Sequence, residues 1–512
     1  MATTRNKDRF LMDIIDKIKS IGPWGYDLTM EFCWFVTTCS VVSTKRELQM
    51  KELNFALPFI NCVYVNGDQY VAYKNQKSDI KTIEKYFAGD IGFFNKMQNR
   101  KLAICTNSKA KIKYLQSLKS NELSNEELAK EFKSFTDAYI LSLALCWTRP
   151  YDFLDEALMQ VIENELQLTG DEAAEVLGKI VTNPNSYYPL CYCEEPLALL
   201  KIAKESKNKW HDLLSDHIDK YSWMKAPLLA EEVEFTKAEY LKRLEFLATE
   251  DIDDKIKMIL ETREANDQEY AEIIKKFKFS PRGLAIAKAM RDNIFMHTNT
   301  AEHSDELLFK GRKTLLKEIS KRTNIDLRDL MMLDGNEIYE VTKTNQAFEN
   351  MEKLIAERKK GNGVVWLEEE TTTFFGDEAR MIYDFFRANV KNEKPDDINR
   401  ETIAQVQGKV ANSGKVVGVV KILLDYEDIH KVEKGDIIVT PMTTPDFVSA
   451  MEKAAGFITD AGGITSHAAI LSREFDVPCI VGTNNATEVL KDGQTIELDA
   501  FIGIVTVIKE SE

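Results

Sequence analysis

The segment TDAGGITSHAAILSREF, from Thr459 to Phe475, places one of the chain's six histidines just after a pair of glycines. The apolar residues AGFIT before the glycines predict a strand that leads into them. Gly462 and Gly463 permit positive φ angles and let another group approach the backbone closely. The Thr-Ser pair that follows can cap a helix that begins near His467. The segment therefore predicts a strand, a glycine turn and a helix that carries His467 in its first turn.

The position of His467 in a first helical turn has chemical consequences. Backbone N–H groups there lack intrahelical partners and give that end of the helix a partial positive charge. This charge disfavours imidazolium and favours a bound anion. A neutral histidine beside an anion site suits attack on a phosphoryl group and its storage as phosphohistidine. Thr465 and Ser466 could donate hydrogen bonds to the phosphoryl oxygens, and Arg473 could add positive charge about two turns later. The alternative is a histidine that only packs or caps the helix.

Other catalytic patterns fit this segment less well. Ser466 and His467 are adjacent, so they point in different directions and do not form a triad, and no Gly-x-Ser-x-Gly elbow is present. His467 has no second ligand at helical spacing, which makes a poor zinc site. Cys191 and Cys193 could form half of a metal site, but no Cys or His cluster lies near them in sequence. We therefore predict no metal site.

The composition of the 512-residue chain indicates a globular protein with two to four domains of about 100–200 residues each. Its formal net charge of −16 repels phosphate backbones and disfavours nucleic-acid binding. The N-terminus has no apolar signal-peptide region, and no apolar run is long enough to span a bilayer. These features predict a cytoplasmic protein that binds neither nucleic acid nor membrane.

Hydrophobic periodicity predicts a multidomain fold with a large, mainly α-helical N-terminal region, residues 1–390, and a C-terminal α/β domain, residues 402–512. Ser124 and Glu127 have capping-box spacing. The alternating segment around Asn66-Gly67 predicts one hairpin in the helical region. Residues 391–401 (KNEKPDDINRE) are polar and suit an exposed connector. Six short strands and two helices are predicted after residue 402.

The stretch TDAGGITSHAAILSREFDVPCIVGT resembles the phosphohistidine signature of the phosphoenolpyruvate-utilising enzymes, among them phosphoenolpyruvate synthase, Enzyme I and rifampin phosphotransferase. The flanking segments VEKGDIIVTPMTTPDF and LKDGQTIELDAFIGIVTVI are also similar, so the resemblance covers about Gln407–Ile508. The residues that match the signature are Gly462, Gly463, Thr465, Ser466, His467, Ala468, Ala469 and Arg473. The resemblance implies a swivelling domain that carries a phosphoryl group on His467 between two distant sites. It gives residues 391–401 a purpose as the swivel linker.

The chain departs from the family in what accompanies this domain. No stretch resembles the ATP-grasp domain that phosphorylates the histidine, and no Gly-x-x-x-x-Gly-Lys-Ser/Thr loop replaces it. No phosphoenolpyruvate-binding barrel follows the histidine domain, an order seen in rifampin phosphotransferase. The resemblance therefore implies an ATP-grasp-type phosphoryl-donor protein as partner. Mg-ATP would be bound on that partner and not by this chain alone, and would be converted to AMP and phosphate.

The helical region is similar to the acceptor-binding region of rifampin-phosphotransferase-like proteins in several short pieces, one of which is HIDKYSWMKAP. His217, Tyr221 and Trp223 lie in this piece and are candidate acceptor-site residues, with core aromatics and a hydrogen-bonded histidine as the alternative. Arg291 and His297 are further candidates, and His297 could act as a base toward an acceptor hydroxyl. The side chains of the acidic run 368–378 could be metal ligands. The alternative is that the run forms a solvated surface.

The leading hypothesis is a dikinase-like phosphotransferase that needs a separate ATP-binding subunit and passes its phosphoryl group to a small-molecule acceptor. An antibiotic hydroxyl, a small alcohol or phenol, and pyruvate all remain open as acceptors. The first alternative is a pure phosphocarrier or scaffold subunit with both active sites on partners. The second is a non-catalytic regulatory relative that retains the histidine fold.

Overall fold

The computed structural model describes most of the chain in two compact units. The first unit comprises residues 1–149, 227–233 and 299–392, and the second comprises 150–226, 234–298 and 393–512. The helical region therefore contributes to both units. The described residues are 2–21, 24–29, 37, 39, 48, 62–66, 68–72, 91–146, 159, 161–181, 190–225, 234–347, 349–367, 370–389, 405–424, 426–443, 447–463, 466–483 and 485–510.

Helices dominate the described residues before residue 390, as the sequence predicts. They are α1 (Ala2–Ile21), α2 (Ile91–Ser117), α3 (Asn125–Cys146), α4 (Gly170–Ile180), α5 (Cys191–Ala203), α6 (Lys207–Tyr221), α7 (Lys237–Leu247), α8 (Ile252–Lys276), α9 (Pro281–Gly311), α10 (Lys317–Thr323), α11 (Leu327–Leu330), α12 (Gly335–Thr344), α13 (Met351–Lys360) and α14 (Asp377–Asn389). The C-terminal domain, described over residues 405–510, adds α15 (Val448–Met451), α16 (His467–Glu474) and α17 (Ala486–Val489).

The strands belong to two sheets. The first sheet contains β1 (Trp24–Thr29), β2 (Cys62–Val65), β3 (Asp68–Ala72), β4 (Asn362–Leu367) and β5 (Glu370–Phe375). The second contains β6 (Gln405–Gln407), β7 (Lys409–Asn412), β8 (Lys415–Ile422), β9 (Ile437–Thr440), β10 (Gly456–Thr459), β11 (Cys479–Val481), β12 (Thr495–Asp499) and β13 (Ile504–Lys509). The multidomain fold, mainly helical with a C-terminal α/β domain, is thus confirmed.

Local sequence signals set several element boundaries. The Ser124–Glu127 capping box is present, because the Ser124 N–H donates to Glu127 Oε2 at 2.8 Å and the Glu127 N–H donates to Ser124 Oγ at 3.3 Å. The predicted hairpin is β2–β3, and Asn66 takes the positive φ of 48° that its turn requires. These two predictions are confirmed.

The first sheet has the strand order β1-β3-β2-β4-β5, and all of its pairs are antiparallel. Helices α1 and α14 contribute Ile18 and Phe386 to its core, and the Tyr70 ring stacks on Phe386 at 4.4 Å between centroids. Each such large apolar side chain contributes about 1.5–3 kcal/mol when fully buried. The hairpin β4–β5 was not predicted, because its polar run 368–373 hides the strand pattern.

The acidic run 368–378 is part of regular secondary structure where the structure describes it. Its described residues form strand β5 and the first turn of α14. Among the described residues of the whole chain, no group of three or more His, Cys, Asp or Glu side chains is arranged to hold a metal ion. The described helices also include none with the length and apolarity needed to cross a membrane.

The C-terminal domain folds around one eight-stranded sheet in the order β6-β13-β12-β8-β9-β10-β11-β7. Strands β8 to β11 are parallel to one another, and the outer strands pair antiparallel. All six predicted strands are present as β8 to β13, whereas β6 and β7 were missed because each is only three or four residues long. The carboxyl ends of neighbouring parallel strands lie at one edge of a sheet, so the loops after β9, β10 and β11 come together there.

The hydrophobic core of the C-terminal domain is formed by residues of that domain. The buried cluster includes Val406, Ile437, Ile458 and Val505, and every member of it lies between residues 406 and 507. The domain therefore has a hydrophobic core of its own, as expected of a unit that can move without unfolding. The predicted linker 391–401 lies outside the described residues and stays a prediction.

Candidate functional site

Helix α16 begins at the histidine singled out by the sequence. Ser466 is its N-cap, with Oγ accepting a hydrogen bond from the Ala469 N–H at 3.4 Å. The Ser466 carbonyl accepts the first intrahelical bond, from Ile470, at 2.9 Å. His467 is therefore the first helical residue, at the end that favours anions. Thr465 lies outside the described residues, so its role stays a prediction.

The two glycines before the cap have different physical roles. Gly462 has a φ of +105°, and a Cβ there would lie 3.0 Å from the Ser466 Cβ. That conformation and that approach both require glycine. Among the described residues, a Cβ on Gly463 would meet no atom within 4 Å. Gly462 thus shapes the turn, whereas the described residues leave room for a side chain at position 463.

The imidazole of His467 is oriented by a threonine from the neighbouring loop. Thr443 follows strand β9, and its Oγ1 lies 2.9 Å from His467 Nδ1. Thr443 is buried and His467 is half-buried. The hydroxyl can accept from Nδ1–H or donate to a bare Nδ1. Either way, the hydrogen bond between Thr443 and Nδ1 fixes the orientation of the ring.

The ring of His467 is held neutral by its surroundings. Burial lowers the pKa of His467 to about 4, because the low-dielectric environment disfavours the charged form. At neutral pH the imidazole therefore keeps a nucleophilic lone pair on one nitrogen. The neutrality expected from the position at a helix start thus has a second cause in burial.

Asp460 braces the loop between β10 and α16. Its Oδ1 accepts from Thr483 Oγ1 at 3.0 Å and from the Thr487 N–H at 3.2 Å, and its Oδ2 accepts from the Thr487 hydroxyl. Thr483 follows β11, and Thr487 lies in α17. The carboxylate therefore ties the histidine loop to the loop that follows the next parallel strand. Hydrogen bonds to an ionised acceptor are worth about 1.5–3 kcal/mol each.

Arg473 lies six residues beyond His467, about 9 Å along the axis of α16. Burial lowers its pKa to about 10, and the thiol of Cys479 acts on it in the opposite sense. The thiol itself is fully buried, and burial raises the pKa of Cys479 to about 12. A role for Arg473 beside the phosphoryl group stays a prediction.

The first group of candidate acceptor residues lies in the interior of the second unit. His217, Tyr221 and Trp223 are all buried. His217 Nε2 is 3.0 Å from Glu195 Oε1, and its ring centroid is 4.9 Å from that of Tyr221. Trp223 Nε1 donates to the Lys220 carbonyl at 2.8 Å. His217 and Tyr221 are thus brought together by packing, and an acceptor role for the three residues stays a prediction.

The second group lies on α9. Arg291 is buried and pairs with Asp267, and its guanidinium lies 3.9 Å from the centroid of the Tyr270 ring. Its charge is therefore neutralised and stacked within the helical part. His297 lies in the same helix, but its side chain is outside the described part of the structure. An acceptor role for Arg291 and His297 also stays a prediction.

Thr443 and Asp460 are the two site residues for which the sequence alone assigned no role. A signal for Thr443 was present, since a polar Thr-Thr pair directly follows a predicted strand, now β9. Loops at the carboxyl ends of adjacent parallel strands share a site. Sequence could not decide which of Thr443 and Thr444 faces His467.

Comparison with known proteins identifies the domain. The family model described as "PEP-utilising enzyme, mobile domain" matches residues 432–503, which span β9 to the turn before β13. A probable phosphoenolpyruvate synthase of Methanothermobacter thermautotrophicus is 53% identical over 100 residues, which are 20% of this chain and 15% of that protein. Residues 432–503 of the C-terminal domain thus match the mobile domain of the phosphoenolpyruvate-utilising enzymes, the family that the histidine motif resembles.

A second relative is similar over a larger share of the chain. The phosphoenolpyruvate synthase of Pyrococcus furiosus is 32% identical over 200 residues, or 38% of this chain and 23% of that enzyme. A solution structure of Enzyme I aligns with 62% of this chain and covers 79% of the Enzyme I chain, with 16% identity. The TM-score of 0.16 is too low to indicate a shared fold. The chain spans less than a quarter of the length of these two synthases.

Proposed function

We propose that this chain is the phosphocarrying component of a phosphotransferase, in which His467 accepts a phosphoryl group and passes it to an acceptor. The observation that carries the proposal is the setting of His467. It is a neutral histidine at a helix start, oriented through Nδ1 by Thr443, in a domain matched by the mobile-domain family model.

In the first step, the Nε2 lone pair attacks the donor's phosphorus. The N–P bond forms and the P–O bond to the leaving group breaks, and the leaving oxygen keeps the bonding electrons. In the tautomer that places the lone pair on Nε2, Nδ1 bears the ring proton and its N–H donates a hydrogen bond to Thr443 Oγ1. Positive charge develops on the ring during attack, so this hydrogen bond strengthens in the transition state.

In the second step, an acceptor oxygen attacks the same phosphorus and the N–P bond breaks. The bonding electrons return to Nε2, and the acceptor's hydroxyl proton passes to a base on the acceptor side. His297 is the sequence candidate for that base. The acceptor would be a small molecule held by the helical region.

The donor in this proposal is a separate ATP-grasp-type protein that binds Mg-ATP. The resemblance to the phosphoenolpyruvate-utilising enzymes supports this assignment, because an ATP-grasp domain phosphorylates the histidine in that family. The ion would neutralise the polyphosphate on that partner. The family resemblance implies that the β-phosphoryl group of ATP moves to His467. AMP leaves with the oxygen that bridged the α and β phosphorus atoms, and water takes up the γ-phosphoryl group as free phosphate.

The test is isolation of the tagged chain from cells of its own organism at alkaline pH, which preserves phosphohistidine. Peptide mapping should place an acid-labile, base-stable phosphoryl group on His467. His467→Ala should abolish it, while His211→Ala, which removes an exposed histidine of α6, should leave it unchanged. Equal labelling of the His467→Ala chain would refute the proposal.

Isotope position separates the two possible donor reactions. Extract from the same cells should transfer label from ATP labelled at the β-phosphoryl group. Label at the γ position should appear as free phosphate. Transfer of γ label to the chain would show that the donor forms ADP instead, and the dikinase-like part of the proposal would be wrong.

A further inference from the structure

Two arginines of the helical part reach carboxylates of the C-terminal domain within the second unit. On α7, Arg243 Nη2 donates to Glu452 Oε1 at 2.9 Å. On α8, Arg263 Nε donates to Glu474 Oε2 at 3.1 Å. The four side chains are at most 14% exposed. Such pairs are shielded from screening by salt, unlike pairs on an open surface.

Each arginine also holds a carboxylate on α5. Arg243 binds Glu195 with two parallel bonds of 2.8 and 2.9 Å. Arg263 Nη1 donates to Glu194 Oε1 at 2.8 Å, and its Nη2 donates to the Cys193 carbonyl at 2.8 Å. The arginines are therefore positioned by α5 itself. Arg243 Nη2 and Arg263 Nε also donate to carboxylates of the C-terminal domain.

This arrangement lowers the electrostatic cost of separating the C-terminal domain from helices α5, α7 and α8. If the C-terminal domain leaves, Arg243 and Arg263 keep their α5 carboxylates, so neither cation is left unpaired. Glu452 and Glu474 return to water, which restores their hydration. A buried pair of this kind fixes geometry strongly while its desolvation cost offsets much of its attraction. It suits a contact that has to be specific and also reversible.

The position of Glu474 links this contact to the reactive histidine. Glu474 is the last residue of α16, and His467 is the first. Binding at the far end of an eight-residue helix fixes the direction of that helix. The domain's core does not include the arginine-bearing helices among its described members, so the domain can leave with its core intact.

We propose that helices α5, α7 and α8 form a docking station for the C-terminal domain, and that Arg243 and Arg263 select its docked pose by binding Glu452 and Glu474. The inference rests on the proposed function, since only a carrier domain needs to leave such a station. Arg243 and Arg263 are positioning residues in this scheme and take no part in the chemistry.

The test uses the full-length chain with Glu452→Gln and Glu474→Gln, singly and together. Each change removes a charge and keeps the side-chain shape. Asp476→Asn is the matched control, because Asp476 is exposed and lies two residues from Glu474. Its positive φ of 50° is one that asparagine adopts readily.

Hydrogen–deuterium exchange and small-angle X-ray scattering report docking without any need for phosphoryl transfer. Each substitution should shift the docked-to-undocked ratio by roughly 5-fold, because glutamine keeps a neutral hydrogen bond and each arginine keeps its α5 carboxylate. Peptides of α5, α7, α8 and the ends of α15 and α16 should exchange faster by up to that factor. The double variant should also show a larger maximum dimension. Exchange in the core strands β9 and β10 should not change, and Asp476→Asn should behave as wild type.

Unchanged exchange and scattering in the double variant would overturn the docking proposal. Loss of protection in β9 and β10 of the double variant would indicate that the domain itself is destabilised. In that case the two single variants are used instead, and unchanged exchange and scattering in both would overturn the proposal. Labelling of His467 in the wild-type chain decides the proposed function separately. A labelled chain with no exchange response would therefore refute the docking station alone.

Discussion

Replacing Thr443 by valine should slow phosphorylation of His467 and change the tautomer of its ring. Valine has nearly the shape of threonine, so the substitution removes the 2.9 Å contact to Nδ1 with little loss of packing. The side chain of Thr443 is buried, and water has little access to replace it. In the resting protein, where the ring is neutral, losing this hydrogen bond costs about 0.5–1.5 kcal/mol.

The loss should be larger in the transition state. The ring gains positive charge as Nε2 bonds to phosphorus, and a hydrogen bond to a charged group is worth about 1.5–3 kcal/mol. The difference between the two ranges, about 1–1.5 kcal/mol, corresponds to a rate reduction of about 5- to 13-fold. Thr443→Ser keeps the hydroxyl and is the matched control, with a rate expected within a few-fold of wild type.

Two measurements check this prediction. Labelling by cell extract and ATP carrying β label gives the rates of the valine, serine and wild-type chains. Nitrogen-15 NMR of the imidazole gives the tautomer, which should have the proton on Nδ1 in the wild type and a mixture of tautomers in the valine variant. A valine variant that is labelled at the wild-type rate and keeps one tautomer would show that Thr443 does not orient the histidine.

Two further predictions concern the turn and the protonation of the histidine. Gly462→Ala should lower the free energy of unfolding by about 1–3 kcal/mol because of the strained φ, whereas Gly463→Ala should change it little; equal denaturation midpoints for the two variants would contradict this reading. The His467 ring should titrate in NMR spectra with a midpoint near pH 4, assigned by its disappearance in His467→Asn. Because folding depresses this pKa from 6.5, full stability is present above about pH 6.5 and declines as the pH falls toward 4. A midpoint near 6.5 would show that the ring is not buried in solution.

The sequence by itself determined the local parts of the site. Ser466, His467 and Gly462 act through φ angles, a cap and a helix end, which depend on residues only a few positions apart. The alternation of short strands with glycine turns likewise identified β8 to β13. The hairpin β4–β5 was missed because its alternation is masked by a polar run, and the short strands β6 and β7 carry too few residues for a pattern.

Tertiary structure decided every contact between distant parts of the chain. Thr443 meets His467 across 24 residues because β9 and β10 are parallel neighbours. Arg243 and Arg263 meet Glu452 and Glu474 across 209 and 211 residues. Among 67 basic and 83 acidic residues, no local pattern distinguishes these four. Charge pairing at such separations depends on which surfaces the folded backbone brings together and removes from water. Hydrophobic periodicity along the chain does not predict this.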